Sequence, residues 1–99
     1  MKNLFCIIVT YIKPIEEIEK VLQAHRGYLQ AGYDAGFLLA SGPLNPRVGG
    51  LIIGHFADKA QAQKFTQSDP YFLQNLATYE IIEFSPVLYA EALNSFLQE

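Results

Sequence analysis

The sequence has a single cysteine, so it cannot close an internal disulfide. Cys6 stands in an apolar run and reads as a buried thiol of a reducing, cytoplasmic protein. Lysine and arginine are few, seven against ten aspartates and glutamates, and they are scattered. A net charge of −3 without a basic stripe argues against nucleic acid as a partner and against an anionic membrane surface. No apolar run reaches the ~20 residues that span a bilayer. The opening stretch MKNLFCIIVTYIKP has a lysine and apolar residues, as a secretory leader does. It lacks a small-x-small cleavage site, and its β-branched and aromatic residues suit a strand of the fold. No two histidines or cysteines stand at metal-ligand spacing, so no metal is expected. Gly49-Gly50 is not followed by Lys-Ser/Thr, and there is no Gly-x-Ser-x-Gly. Those absences remove the phosphate loop and the nucleophile elbow, and no cofactor is expected.

What is there is apolar. Hydrophobic residues make up 51% of 99 residues, enough to build the core of one domain over residues 1–99. Residues 3–12 read as a strand that is apolar on both faces. Pro14, Glu16 and Glu17 open a helix to about Ala35, with Gly36 as its cap. Ile15, Ile18, Leu22, His25, Leu29 and Gly32 fall on one stripe of that helix. FLLASGP is a second strand, NPRVGG a loop of turn formers, and residues 51–56 a third strand. Asp58 and Gln61 resemble a capping box that opens a helix to about Gln67. Asp69 then caps a short helical piece with Pro70 in its first turn. A fourth strand lies within residues 78–87 and ends before Pro86. Tyr89, Ala92, Leu93 and Phe96 have helical spacing in the tail.

This order is β-α-β-β-α-β, an α+β ferredoxin-like sandwich: a four-stranded antiparallel sheet with its helices on one face. The other face is also apolar, and the sequence holds no further layer to cover it. A second copy, sheet to sheet, is the simplest cover, so a homodimer through the open face is expected. His55, in the third strand, reads as structural and placed near that face.

His25 is the first candidate for chemistry. It is either a core histidine with a satisfied ring, or a general acid or base in a pocket beside the sheet. Asp34 points about 180° away on the same helix, so Asp69 is the better carboxylate partner. Asp69 is also read as a helix cap, and one oxygen can cap while the other meets an imidazole. Ser41, Gly42 and Pro43 either terminate a strand or form a wall whose hydroxyl and N–H groups bind a substrate oxygen. Tyr71 and Phe72 could supply an aromatic wall.

A central helical His, an SGP strand end and a DPY step after the second helix occur here together and in this order. With the N-terminal strand, they resemble the YciI-like (YCII-related) family over nearly the whole chain. The resemblance implies a fold of the dimeric α/β-barrel type and a His–Asp dyad, carried here by His25 and Asp69. It implies that the SGP segment lines the same pocket, and that relatives perform dehydrochlorination or lactone-type chemistry on hydroxylated aromatic breakdown products. The expectation is a cofactor-independent lyase or isomerase acting on a small, hydroxylated cyclic molecule. His25 would move the proton, Asp69 would orient it, and Ser41, Gly42, Pro43 and Tyr71 would bind the substrate. The alternative is a non-catalytic dimeric module that binds a small ligand or a protein through the same pocket.

Overall fold

The computed structural model describes residues 1–98. Strand β1 (Leu4–Tyr11) leads into helix α1 (Ile15–Asp34), then β2 (Leu38–Pro43) and β3 (Gly49–Gly54). Helix α2 (Lys59–Gln67) and a single turn, α3 (Pro70–Leu73), precede β4 (Ala77–Phe84). A 3₁₀ turn (Glu91–Leu93) and a short α4 (Asn94–Leu97) close the described chain. The strands lie in the order β2-β3-β1-β4, each pair antiparallel. This is the four-stranded antiparallel sheet of a ferredoxin-like α+β fold.

The pleat of β1 divides the molecule. Phe5, Ile7 and Val9 are buried on the helix side, where Ile7 sits between Ile52 of β3 and Ile81 of β4. Ile18 and Leu29 of α1 close over them, with Leu38, Leu76 and Ala77 completing the core. Each such side chain contributes about 1.5–3 kcal/mol on burial. Helix α1 starts with Glu16 and Glu17 in its first turn, where negative charge meets the positive end of the helix dipole. It stops at Gly36, which adopts φ +87°. There the Gly36 N–H donates to the Tyr33 carbonyl and the Phe37 N–H to that of Gly32, the paired bonds of a glycine-terminated helix.

Three details differ from the sequence reading. Strand β3 begins at Gly49 rather than Leu51, because the Gly-Gly pair runs alongside β1 instead of turning in the loop. A Cβ at Gly49 would run into the Val9 carbonyl, so it is strand approach, not turn geometry, that demands glycine here. His55 lies beyond the end of β3, with the Phe96 ring 4.6 Å from its own. Burial first, and the Lys2 charge second, lower its pKa below the usual histidine value. The tail forms only short turns, and the Lys2 N–H donates to the Leu97 carbonyl at 2.9 Å, so it folds back on its own chain.

The opposite face of the sheet carries Cys6, Ile8, Leu51, Ile53, Ile82 and Phe84. Ile82 and Phe84 remain 44% and 45% exposed, and Val87 and Leu88 beyond them are almost fully exposed. Cys6 is only half-buried, because it faces this uncovered side. Among the described residues, no helix is long and apolar enough to cross a membrane.

Candidate functional site

A cavity of about 310 Å³ lies between α1 and the sheet. That is the lower end of the ~300–1,000 Å³ usual for small-molecule pockets. Helix α1 supplies Leu22, His25 and Leu29, one stripe at i, i+3 and i+7. Strand β1 supplies Val9 and Tyr11, and the end of β2 supplies Ser41, Gly42 and Pro43. Tyr71 enters from α3 and Arg47 from the β2–β3 loop.

His25 and Asp69 meet. Nδ1 of the ring is 2.8 Å from Asp69 Oδ1, across 44 residues of sequence. The histidine side chain is 13% exposed and the carboxylate 1%. Local chemistry fixes Asp69 in place: it is the N-cap of α3, and its Oδ1 accepts the Tyr71 N–H at 3.1 Å. The division of labour differs from the expected one. Oδ1 takes both the cap N–H and the imidazole, which leaves Oδ2 to accept the Tyr79 hydroxyl at 2.7 Å. Three donors around one carboxylate match an ionised, acceptor-only Asp69. The network then assigns the ring proton to Nδ1 and leaves the Nε2 lone pair free.

Tyr79 escaped the sequence reading. Its only signal was its phase with Ala77 and Ile81 on the helix side of β4, which reads as core. Its phenol pKa lies far above the usual range, first through burial, then through the Asp69 charge and the hydrogen bond it donates to that carboxylate.

Tyr71 is 1% exposed, and its ring stacks on that of His25, centroids 3.9 Å apart and planes 7° from parallel. Burial pushes its phenol pKa up to about 12, with Tyr11 adding to the shift and Arg47 opposing it. Phe72, expected beside it, is not in the cavity. Consecutive helical residues point ~100° apart, and Phe72 is exposed, its ring centroid 6.1 Å from that of Tyr79 on β4. Ser41 lines the cavity, but its hydroxyl is engaged with that of Tyr33 at 2.6 Å. Gly42 and Pro43 lie on the same wall. Arg47, which the sequence reading passed over as part of a turn-rich loop, bonds Glu19 of α1 at 2.6 Å across the cavity mouth. Glu19 first, and Tyr11 second, raise the guanidinium pKa above its usual value.

The arrangement offers an oriented imidazole at the floor of a ring-sized cavity, a phenol stacked upon it and a guanidinium at the rim. Among the described residues no group of three or more His, Cys, Asp or Glu is placed to hold a metal ion.

Residues 4–85 match the family model of the YCII-related domain. Among solved structures, the chain is similar to a 5-chloro-2-hydroxyhydroquinone dehydrochlorinase from Burkholderia phenoliruptrix AC1100, in complex with 2,5-dihydroxybenzoquinone. The TM-score is 0.72 at 17% identity, covering 83% of this chain and 93% of that one. At this identity the likeness speaks for the fold. No curated protein matches the chain in sequence.

Proposed function

The chain belongs to the YCII-related domain family, and on that footing we propose that it is a small-molecule enzyme in which His25 and Asp69 carry out general acid–base chemistry of the lyase or isomerase type. The observation that carries this reading is the 2.8 Å contact between His25 and a fully buried Asp69 at a cavity floor. A structural histidine would be sealed, whereas this ring borders open volume. His25 Nε2 takes the proton and Asp69 fixes the tautomer and stabilises the imidazolium, a role that contributes about 10²–10⁴ in rate. The substrate class is a small hydroxylated ring. The cavity volume fits one ring, and the similar dehydrochlorinase is named for such a compound. Ser41, Gly42, Pro43 and Tyr71 form the walls that hold it. No step of such a proton transfer calls for a cofactor.

Chloride release from 5-chloro-2-hydroxyhydroquinone tests the reading. The wild type is expected to exceed the spontaneous rate, and His25→Gln to lose about 10²–10⁴-fold of the excess. Equal release by both proteins would remove His25 from the chemistry. Ring binding without release would place the chain among non-catalytic ligand-binding modules.

The open sheet face is proposed as the interface of a homodimer in a reducing cytoplasm, a setting that suits the unpaired Cys6. Ile82 and Phe84 lie about half-exposed on an apolar surface that this chain does not cover. Light scattering is expected to give twice the 11.1 kDa chain mass for the wild type, and the single-chain mass for Phe84→Asp. A wild type at the single-chain mass rules the interface out.

A further inference from the structure

The Tyr71 hydroxyl is the one buried side-chain polar atom among the described residues with no hydrogen-bond partner. An orphaned buried hydroxyl costs about 1–3 kcal/mol, and natural cores rarely keep one without a use. This one belongs to a residue that lines the cavity and whose ring is stacked on His25. Two further polar groups converge at the same end. Tyr11 meets Tyr71 edge to face at 5.9 Å, near enough for its phenol to raise the Tyr71 pKa, though it does not complete a hydrogen bond that satisfies the Tyr71 hydroxyl. Arg47 borders the same volume from the opposite loop, paired with Glu19, which is itself half exposed, and close enough to Tyr11 for that phenol to raise its pKa. Ser41, the expected ligand for a substrate oxygen, has its hydroxyl committed to Tyr33.

We propose that the Tyr71 hydroxyl, with Tyr11 and Arg47 beside it, forms the subsite for a substrate oxygen that carries or develops negative charge, so that the cavity selects rings bearing an acidic enolic or phenolic hydroxyl. The inference rests on the acid–base reading of His25 and names the group opposite it. In the forward step the ring reacts as its keto tautomer: a proton on the carbon beside the carbonyl passes to His25 Nε2, the C–H electron pair becomes the C=C bond, and the carbonyl π pair settles on the oxygen as the enolate, the anion of the enolic or phenolic hydroxyl. Tyr71 keeps its proton and donates a hydrogen bond to that oxygen, and Arg47 supplies the countercharge. A phenol whose pKa stands at about 12 remains a donor throughout the neutral range. The substrate oxygen also satisfies a hydroxyl that the free protein leaves unpaired.

Binding of two single-ring probes tests this: 2,5-dihydroxybenzoquinone, whose enolic hydroxyls are vinylogous acids already ionised at neutral pH, and hydroquinone, whose ordinary phenols stay neutral there. The wild type is expected to prefer the anion. Tyr71→Phe and Arg47→Gln should each reduce the anion-to-neutral affinity ratio at least tenfold. Tyr71→Phe should also leave the free protein as stable as the wild type or more so, because it deletes an unpaired polar group. An unchanged ratio in Tyr71→Phe overturns the subsite while leaving the His25 reading standing. A wild type that binds neither ring overturns both.

Discussion

Replacing Asp69 by alanine is expected to lower the free energy of unfolding by about 3 kcal/mol or more, because three buried donors lose their acceptor at about 1–3 kcal/mol each. A cap alone predicts about 1 kcal/mol. The difference arises because Asp69 is fully buried and serves three donors: the Tyr71 N–H, the His25 ring and the Tyr79 hydroxyl. Each donor left unpaired adds about 1–3 kcal/mol. Domains of this length are stable by only about 5–15 kcal/mol, so the loss threatens the fold itself. Tyr79→Phe, which removes one of the three donors, should cost about 1–3 kcal/mol. Denaturant unfolding reads both. Asp69→Asn keeps the shape and loses the charge, and nitrogen NMR of His25 then reads the orientation: the proton sits on Nδ1 in the wild type and is shared between the two nitrogens in the variant. A loss near 1 kcal/mol in Asp69→Ala, with the tautomer unchanged in Asp69→Asn, would reduce Asp69 to a cap.

The ways in which this site was and was not legible in the sequence follow from what each residue's neighbours are. Helix α1, the capping role of Asp69 and the order of elements along the chain rest on local patterns: periodicity, Pro-flanked caps and β-branched runs. The His25–Asp69 pairing does not, because 44 residues separate the partners and local spacing carries no such distance. Ruling out Asp34 on the same helix and the combined order of His, SGP and DPY pointed to it. Tyr79 alternates correctly with Ala77 and Ile81, and alternation reports the face of a strand, not the partner of a hydroxyl. Arg47 was hidden by Pro46 and Gly49-Gly50, which mark a turn without telling which side chain reaches over a cavity. Gly49 shows the converse: glycine signals both turns and close strand approach, and the Val9 carbonyl decides between them. The hydroxyl of Ser41 was assigned to substrate because Tyr33, eight residues earlier on α1, could not be placed opposite it from the sequence.

Alkaline pH is expected to unfold the protein through the same residues. Tyr71 and Tyr79 hold their protons more tightly in the folded state than in the unfolded chain, whose phenols titrate near 10. Below pH 10 both states are protonated and the stability is complete. As pH rises from 10 towards 12, the unfolded chain releases phenolic protons that the folded protein retains. The unfolded state then binds fewer protons, so stability falls with rising pH. Tyr28, whose hydroxyl donates to the Phe65 carbonyl at 2.6 Å, is shifted the same way by burial and adds to the effect. Tyrosinate absorbance should therefore show part of the six-tyrosine complement ionising late, together with the loss of circular dichroism. Tyr71→Phe removes one such proton and should move that loss to higher pH. Six tyrosines titrating together near the ordinary value, with the fold intact, would mean that these phenols are open to solvent. The buried donor set around Asp69, and the orphaned hydroxyl beside His25, would then both be refuted.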